Sequence, residues 1–214
     1  IDKKMVEEAY VRYHKRGLEV IYGDALLSGI DLGEKRNLML VNPPFNRYEE
    51  IPKDYREEIY RIAKAQTGIN VASNAGLYVY HLLIMDKWLC NDAVAVWLLP
   101  SIFMQAKYGE AIRTYLLNNV QLIKIHIYNE EIEQFDNTNV STAIVVFRKK
   151  KSEEKERILI SYGASMTQPI NYRYVETDML LESTDNWRAI SNRNESWDAS
   201  QKRVTFNDLF EIKR

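Results

Sequence analysis

Two consecutive prolines, Pro43 and Pro44, constrain the fold of this chain more than any other feature, because they end a strand and fix the backbone after it. They follow the apolar run at residues 37–41, which is typical of a short, buried parallel strand. With Asn42 before them and Phe45 after them, they form what we call the Asn-Pro-Pro-Phe loop. In open α/β sheets, ligands bind at the carboxyl ends of the strands. The sequence therefore predicts a ligand-binding loop at such an edge.

The residue types in this loop suit the methylation of an amino group. A nucleobase amine is a poor nucleophile because its lone pair is delocalised into the ring, and hydrogen-bond acceptors draw its nitrogen toward tetrahedral geometry. The side-chain oxygen of Asn42 and the main-chain carbonyl of Pro43 can each accept one amine hydrogen, and Phe45 offers a flat face for a planar substrate. The prolines keep the backbone extended and remove amide donors. A plain surface loop is the alternative, since Asn-Pro commonly opens turns.

An acidic turn precedes the loop. Residues 18–22 are typical of another strand, and Gly-Asp-Ala follows at 23–25. Its aspartate, Asp24, can accept a hydrogen bond from an adenine amine, or it is a solvated turn residue. Residues 3–16 carry apolar side chains with a helical period on one face, which predicts a helix before the strand.

The order of these motifs resembles that of the S-adenosylmethionine-dependent adenine-N6 DNA methyltransferases, above all the branch in restriction-modification enzymes that combine methylation with cleavage. The resemblance covers most of residues 1–150. The segments that carry it are, in chain order, 1–16, 23–25, 42–45, 76–83, 95–103, 108–117 and 139–147.

The resemblance implies a cofactor site for S-adenosylmethionine. Asp24, with Ala25 beside it, would hold the adenine amine of the cofactor, and Ile1 would pack on the adenine ring. The ribose-binding acid of the family belongs just before the position of Ile1 and is absent, which leaves Asp2 as the nearest carboxylate.

The resemblance also implies a substrate pocket for a flipped adenine. Asn42, Pro43, Pro44 and Phe45 would surround the target amine, and Phe135 would touch the base from another side. The alternative for Phe135 is a core residue of a hairpin.

One family feature is nowhere in the chain, namely the glycine-rich cofactor loop with Gly-x-Gly after the first strand. We therefore expect an α/β, Rossmann-like methyltransferase sheet with a reversed final strand, lacking its first strand and glycine-rich loop. Such a fragment should be inactive by itself and bind the cofactor weakly. The missing strand lies between those at 18–22 and 38–41, so we expect an exposed sheet edge at which the chain rearranges or pairs with a second copy.

The chain divides into two predicted regions. Residues 1–150 are expected to form a partial methyltransferase catalytic domain, and residues 151–214 a linker and the start of a target-recognition region. Helices are predicted at 53–66, 77–90 and 109–118, and strands at 93–99, 120–128, 141–147 and 157–162, with irregular structure after about 163. The loop at 67–75 is a candidate lid over the substrate.

Composition excludes several classes of site. The single cysteine, Cys90, rules out an intramolecular disulfide and a multi-cysteine metal site, and it is expected in the core of the helix at 77–90. His14, His81 and His126 are dispersed without metal-ligand spacing, so no metal is expected. No apolar stretch approaches the length of about 18 residues that spans a membrane. We therefore expect a cytoplasmic location and no membrane contact.

Charge bears on the expected partner, double-stranded DNA. The chain has 29 Lys and Arg against 30 Asp and Glu, whereas phosphate binding needs a basic surface. Most DNA contacts are therefore expected in a recognition domain beyond this chain. Two alternatives stay open: a methyltransferase for RNA guanine or for a protein glutamine amide, and an inert scaffold.

Overall fold

The structure is a computed structural model that describes residues 3–27, 34–128, 140–150, 156–182 and 186–188. Its helices are α1 (Lys3–Tyr13), α2 (Lys53–Thr67), α3 (Leu77–Met85), α4 (Glu110–Asn118) and α5 (Thr177–Glu182). Its strands are β1 (Arg36–Val41), β2 (Leu89–Pro100), β3 (Gln121–Tyr128), β4 (Thr142–Arg148), β5 (Arg157–Gly163) and β6 (Asn171–Glu176).

The six strands form one mixed sheet in the order β1-β2-β4-β3-β5-β6. β1 runs parallel to β2, and β3 runs parallel to β5. β4 lies between β2 and β3 and is antiparallel to both, which confirms the reversed strand of the predicted Rossmann-like sheet. Beyond β3, the strands β5 and β6 extend the sheet, with β6 antiparallel to β5.

Helices α2, α3 and α4 share one hydrophobic core with the sheet. α2 buries Ile59 and Ala63, as its helical period predicts. α3 is apolar around its whole circumference, and six of its nine residues are buried. A helix of this kind is stable only when neighbours surround it. α3 is therefore the central helix against which loops at the sheet edge can pack.

The strand predicted at 18–22 does not form. These residues have no regular structure, and Leu18, Ile21 and Tyr22 expose 56%, 44% and 52% of their surface. A strand needs a neighbour for its backbone hydrogen bonds, and no strand of the described sheet lies beside this segment. α1 forms as predicted, but it buries none of its residues.

The helix predicted at 77–90 is too long. α3 ends at Met85, a short 3₁₀ turn follows, and β2 begins at Leu89. Cys90 is therefore a half-buried residue of β2, not of a helix. Only the charged pair Asp86 and Lys87 stands between the two apolar stretches, with no glycine or proline, so the sequence carries no strong signal for the end of the helix.

The irregular structure predicted after residue 163 is wrong for 171–182, where β6 and α5 form. Trp187 also lies in the core, where its indole nitrogen donates a hydrogen bond of 3.1 Å to the Leu180 carbonyl. The ring of Trp187 meets that of Phe103 edge-on, with centroids 6.4 Å apart.

Among the described residues, no helix is long and apolar enough to cross a membrane. The same part of the chain contains no group of three or more His, Cys, Asp or Glu side chains that could hold a metal ion.

Candidate active site

The Asn-Pro-Pro-Phe loop starts directly after β1, where Val41 pairs in parallel register with Trp97 of β2. Asn42 is exposed, whereas Pro43 is buried. Pro44 is exposed and Phe45 is half-buried. The loop is therefore anchored by its first proline and presents the Asn42 amide to solvent at the carboxyl ends of two parallel strands, as the sequence predicts.

The amino-terminal end of α3 supports the loop from behind. Phe45 meets the ring of Tyr78 edge-on, with centroids 6.4 Å apart and planes at 76°. Gly76 approaches the loop so closely that an added Cβ would lie 2.8 Å from the Asn46 carbonyl oxygen. The loop thus rests on a site that only glycine leaves open.

A carboxylate fixes the chain just after Phe45. One oxygen of Glu50 accepts hydrogen bonds from the Asn46 amide, at 3.0 Å, and from the Arg47 backbone N–H, at 3.3 Å. This pairing caps the 3₁₀ turn Tyr48–Glu50, after which Pro52 leads into α2. The loop is therefore braced on both sides.

A second loop lies at the end of β2. Arg113 of α4 is 3% exposed and donates to the carbonyls of Phe103, at 2.5 Å, and Ala106, at 2.9 Å. Ser101 is bonded to Ser141 through both its hydroxyl and its backbone N–H, each at 2.8 Å. These contacts hold the loop in one compact form beside the end of β1.

Asp24 lies in a turn that faces helix α2. Its Oδ1 accepts from the backbone N–H groups of Leu26, at 2.8 Å, and Leu27, at 3.2 Å. The Tyr55 hydroxyl donates to the same carboxylate, at 2.9 Å from Oδ2 and 3.1 Å from Oδ1. Burial works to raise the pKa of Asp24, but these hydrogen bonds outweigh it, so the pKa lies below its ordinary value. Asp24 is thus a half-exposed, ionised acceptor, and Ala25 beside it is half-buried.

Helix α3 brings the two predicted subsites close together. Burial lowers the pKa of His81. The hydrogen bond with the Leu77 carbonyl and the nearby Asp24 carboxylate oppose this shift. Tyr78, whose ring contacts that of Phe45, lies three positions before His81 on the same helix. Residues three apart are neighbours on a helix surface. Helix α3 therefore lies close to both Asp24 and Phe45.

Three residues predicted for the site lie outside the described residues, namely Ile1, Asp2 and Phe135. Two residues of the site were not predicted from the sequence, namely Tyr55 and Tyr78. The Tyr78 hydroxyl is buried and has no hydrogen-bond partner in the described part of the chain. Burial and then the neighbouring Tyr108 raise the pKa of Tyr78 above its ordinary value. A helical period identifies such residues as inward-facing, but not what they touch.

Comparison with known proteins gives a match over most of the chain. The sequence profile of the N-6 DNA methylase family matches residues 12–209. The type II methyltransferase M.XamI of Xanthomonas campestris pv. amaranthicola is 28% identical over 118 residues, which are 55% of this chain and 22% of that protein. M.PstI of Providencia stuartii is 28% identical over 137 residues, 64% of this chain and 25% of that protein. The chain spans about a quarter of the length of these curated relatives.

Solved structures share the fold. The type IIG restriction endonuclease BpuSI matches with a TM-score of 0.60 and 19% identity, over 78% of this chain and 22% of that one. The methyltransferase subunit of a type I restriction-modification system from Streptococcus thermophilus matches with a TM-score of 0.57 and 14% identity, over 77% and 40% of the two chains. At these identities the likeness concerns the fold alone.

Proposed function

The chain belongs to the N-6 DNA methylase family, and we propose that it carries the substrate pocket of an enzyme that methylates the N6 amine of adenine in double-stranded DNA, within a restriction-modification system. The observation that carries the proposal is the Asn-Pro-Pro-Phe loop. Its Asn42 amide is exposed at the carboxyl end of β1, while Pro43 is buried and Phe45 rests on Tyr78.

The loop acts on the target amine through its acceptors. The Asn42 side-chain oxygen and the Pro43 carbonyl each accept one amine hydrogen, which turns the nitrogen lone pair away from the ring. The same dipoles stabilise the positive charge that develops on the nitrogen during transfer. Phe45 stacks on the base, which must leave the duplex stack to reach the loop. No strong base is needed in this arrangement.

Asp24 fits one part of S-adenosylmethionine, which supplies an electrophilic methyl group when bound. An ionised, half-exposed carboxylate is a suitable acceptor for the exocyclic amine of the cofactor's adenine. We assign that contact to Asp24 with Ala25, and packing on the same ring to Ile1, with Asp2 as the nearest carboxylate to the ribose. Phe135 is assigned to the flipped base. The chain has no Gly-x-Gly sequence, so we propose that it is inactive by itself.

Charge supports a divided DNA interface. Basic and acidic residues nearly balance, at 29 and 30. Duplex binding is dominated by neutralisation of phosphates. We therefore propose that most phosphate contacts come from a separate recognition domain. We further propose that the outer edge of β1, which pairs only with β2 in the described sheet, recruits a second copy of the chain.

The substrate class is tested by offering three substrates in parallel reactions. The protein in its full encoded length is incubated with labelled S-adenosylmethionine and duplex DNA, structured RNA or a glutamine-containing release factor. Label should enter the DNA alone. Label in the RNA or the protein would contradict the proposal in favour of the other amine or amide substrates, and no label in any of them would favour a scaffold.

A further inference from the structure

The first turn of helix α2 reaches back to the turn that carries Asp24. The Tyr55 hydroxyl lies 2.9 Å from Oδ2 and 3.1 Å from Oδ1, so it is shared between both carboxylate oxygens. The backbone N–H groups of Leu26 and Leu27 bind Oδ1 alone. The hydroxyl therefore adds a donor at Oδ2, an oxygen that the two backbone N–H groups do not bind, and so helps to orient the carboxylate.

The segment around Asp24 depends on contacts of this kind. Residues 18–22 form no strand, and α1 has no buried residue. Leu26 is 1% exposed in the core, Leu27 packs against the same core, and Asp24 binds Tyr55. The Tyr55 hydroxyl is thus one of the contacts that attach the turn to helix α2.

Tyr55 is also connected to the Asn-Pro-Pro-Phe loop, through the turn that joins the loop to α2. Tyr55 stands ten positions after Phe45, in the first turn of the helix that the loop leads into. Its neighbour Arg56 lies over the ring of Tyr48, 5.5 Å from the centroid. Tyr48 opens the 3₁₀ turn in which Glu50 binds Asn46. A continuous set of contacts thus joins the acid at one subsite to the loop at the other.

We propose that Tyr55 is a positioning residue that orients the Asp24 carboxylate for the cofactor and couples it, through the first turn of α2, to the Asn-Pro-Pro-Phe loop. The inference rests on the proposed function for the identity of the two subsites. In physical terms, the hydrogen bond between Tyr55 and Asp24, which are 31 positions apart, sets the orientation of the carboxylate that binds the cofactor.

The direct test replaces the hydroxyl and keeps the ring. In the full-length protein, Tyr55→Phe should raise the KM for S-adenosylmethionine about tenfold, as expected for the loss of one hydrogen bond to a charged group. The kcat should fall less, because the target amine is bound by other residues. Tyr60→Phe is the matched control, since that hydroxyl lies on the same helix and binds Asn70, at 3.3 Å, instead of Asp24. It should change KM less than about twofold.

The pH profile separates positioning from a merely structural role. Tyr55 of α2 and His81 of α3 both face Asp24, and Glu58 lies near the tyrosine. Burial, then Asp24, raises the pKa of Tyr55, so its hydroxyl remains a donor at neutral pH. Without that donor the pKa of Asp24 rises, and the acid limb of kcat/KM for the cofactor should move to higher pH in Tyr55→Phe but not in Tyr60→Phe.

A double substitution shows whether Tyr55 acts through Asp24. In an Asp24→Ala background, Tyr55→Phe should change KM less than about twofold, because the carboxylate that the hydroxyl binds is already gone. Multiplying effects would overturn the inference, and so would a Tyr55→Phe protein with the KM and acid limb of the control. If the wild type transfers no methyl group to DNA, the proposed function fails instead. The pKa of Asp24 by carboxyl NMR then still tests the contact, and an unchanged value in Tyr55→Phe would overturn it.

Discussion

Asn42 and Pro43 are neighbours in the chain, yet they differ in exposure. Pro43 is buried, and its fixed φ anchors the loop, while Asn42 extends an exposed amide from the end of β1. A proline pair has few backbone conformations to lose on folding. The backbone of the loop is therefore restrained before any ligand arrives, which would reduce the entropic cost of the proposed binding.

Tyr78 presents the opposite case, a polar group whose burial has no compensation within the described residues. A buried hydroxyl without a partner costs about 1–3 kcal/mol in desolvation. Tyr78→Phe should therefore raise the free energy of unfolding by about 1 kcal/mol, since the ring that supports Phe45 is kept. Urea unfolding monitored by circular dichroism measures the change.

Tyr115→Phe is the control for this prediction. The Tyr115 hydroxyl is also buried, but it donates to Asp86, so its loss should lower the free energy of unfolding by about 1–2 kcal/mol. A Tyr78→Phe protein that is destabilised as much as Tyr115→Phe would mean that the Tyr78 hydroxyl has a partner in the folded protein.

The four residues of the loop could be predicted from the sequence because prolines act locally. The sequence also predicted a turn at Asp24, while the binding of an adenine amine there stays a prediction. It did not reveal that Tyr55 contacts Asp24 or that Tyr78 contacts Phe45. Both contacts join residues more than thirty positions apart, and one chain pattern does not encode which of its inward-facing residues will meet.

The position of the Asn-Pro-Pro-Phe loop depends on its close contact with the start of α3. Gly76 has ordinary extended backbone angles, so alanine is allowed there conformationally, and the obstacle is the Asn46 carbonyl 2.8 Å from the added Cβ. Gly76→Ala should lower the free energy of unfolding by about 1–3 kcal/mol and reduce methyl transfer at least tenfold, because the loop must move away from α3. Thermal unfolding and transfer assays measure the two effects.

Gly68→Ala is the matched control. Gly68 ends α2 at φ +73°, and nothing lies within 4 Å of an added Cβ. Alanine there should cost about 1 kcal/mol in backbone strain and leave the specific activity of the folded protein unchanged. If both glycine variants lose stability and keep their activity, the loop does not depend on its contact with α3.

Element boundaries were predicted well where a turn or cap interrupts the pattern and poorly elsewhere. α2 ends at a left-handed Gly68, and β1 ends before the prolines, so both were located. β6 is a polar edge strand whose pairing with β5 depends on the sheet and not on its own apolar pattern. Residues 18–22 have the composition of a strand, but in the described sheet they have no neighbouring strand to pair with.

Within the part of the chain that the structure describes, the sheet has an unpaired edge at β1. β1 is the terminal strand of the described sheet, and Leu40 on it is 63% exposed. We expect the chain to self-associate through this edge, so that its mean mass in sedimentation rises with concentration. Leu40→Lys should weaken the association, whereas Ile170→Lys, at an exposed site between β5 and β6, should not. A monomer at every concentration would contradict the prediction.

The proposed methyl transfer depends on one residue, Asn42, directly after the carboxyl end of β1. Nucleoside analysis by mass spectrometry, on duplex DNA treated with the full-length protein and S-adenosylmethionine, identifies which atom receives the methyl group. The wild type should produce N6-methyladenine, and Asn42→Ala should produce none, although its cofactor affinity by calorimetry should be unchanged. Methylation at another atom, or an Asn42→Ala protein as active as the wild type, would contradict it.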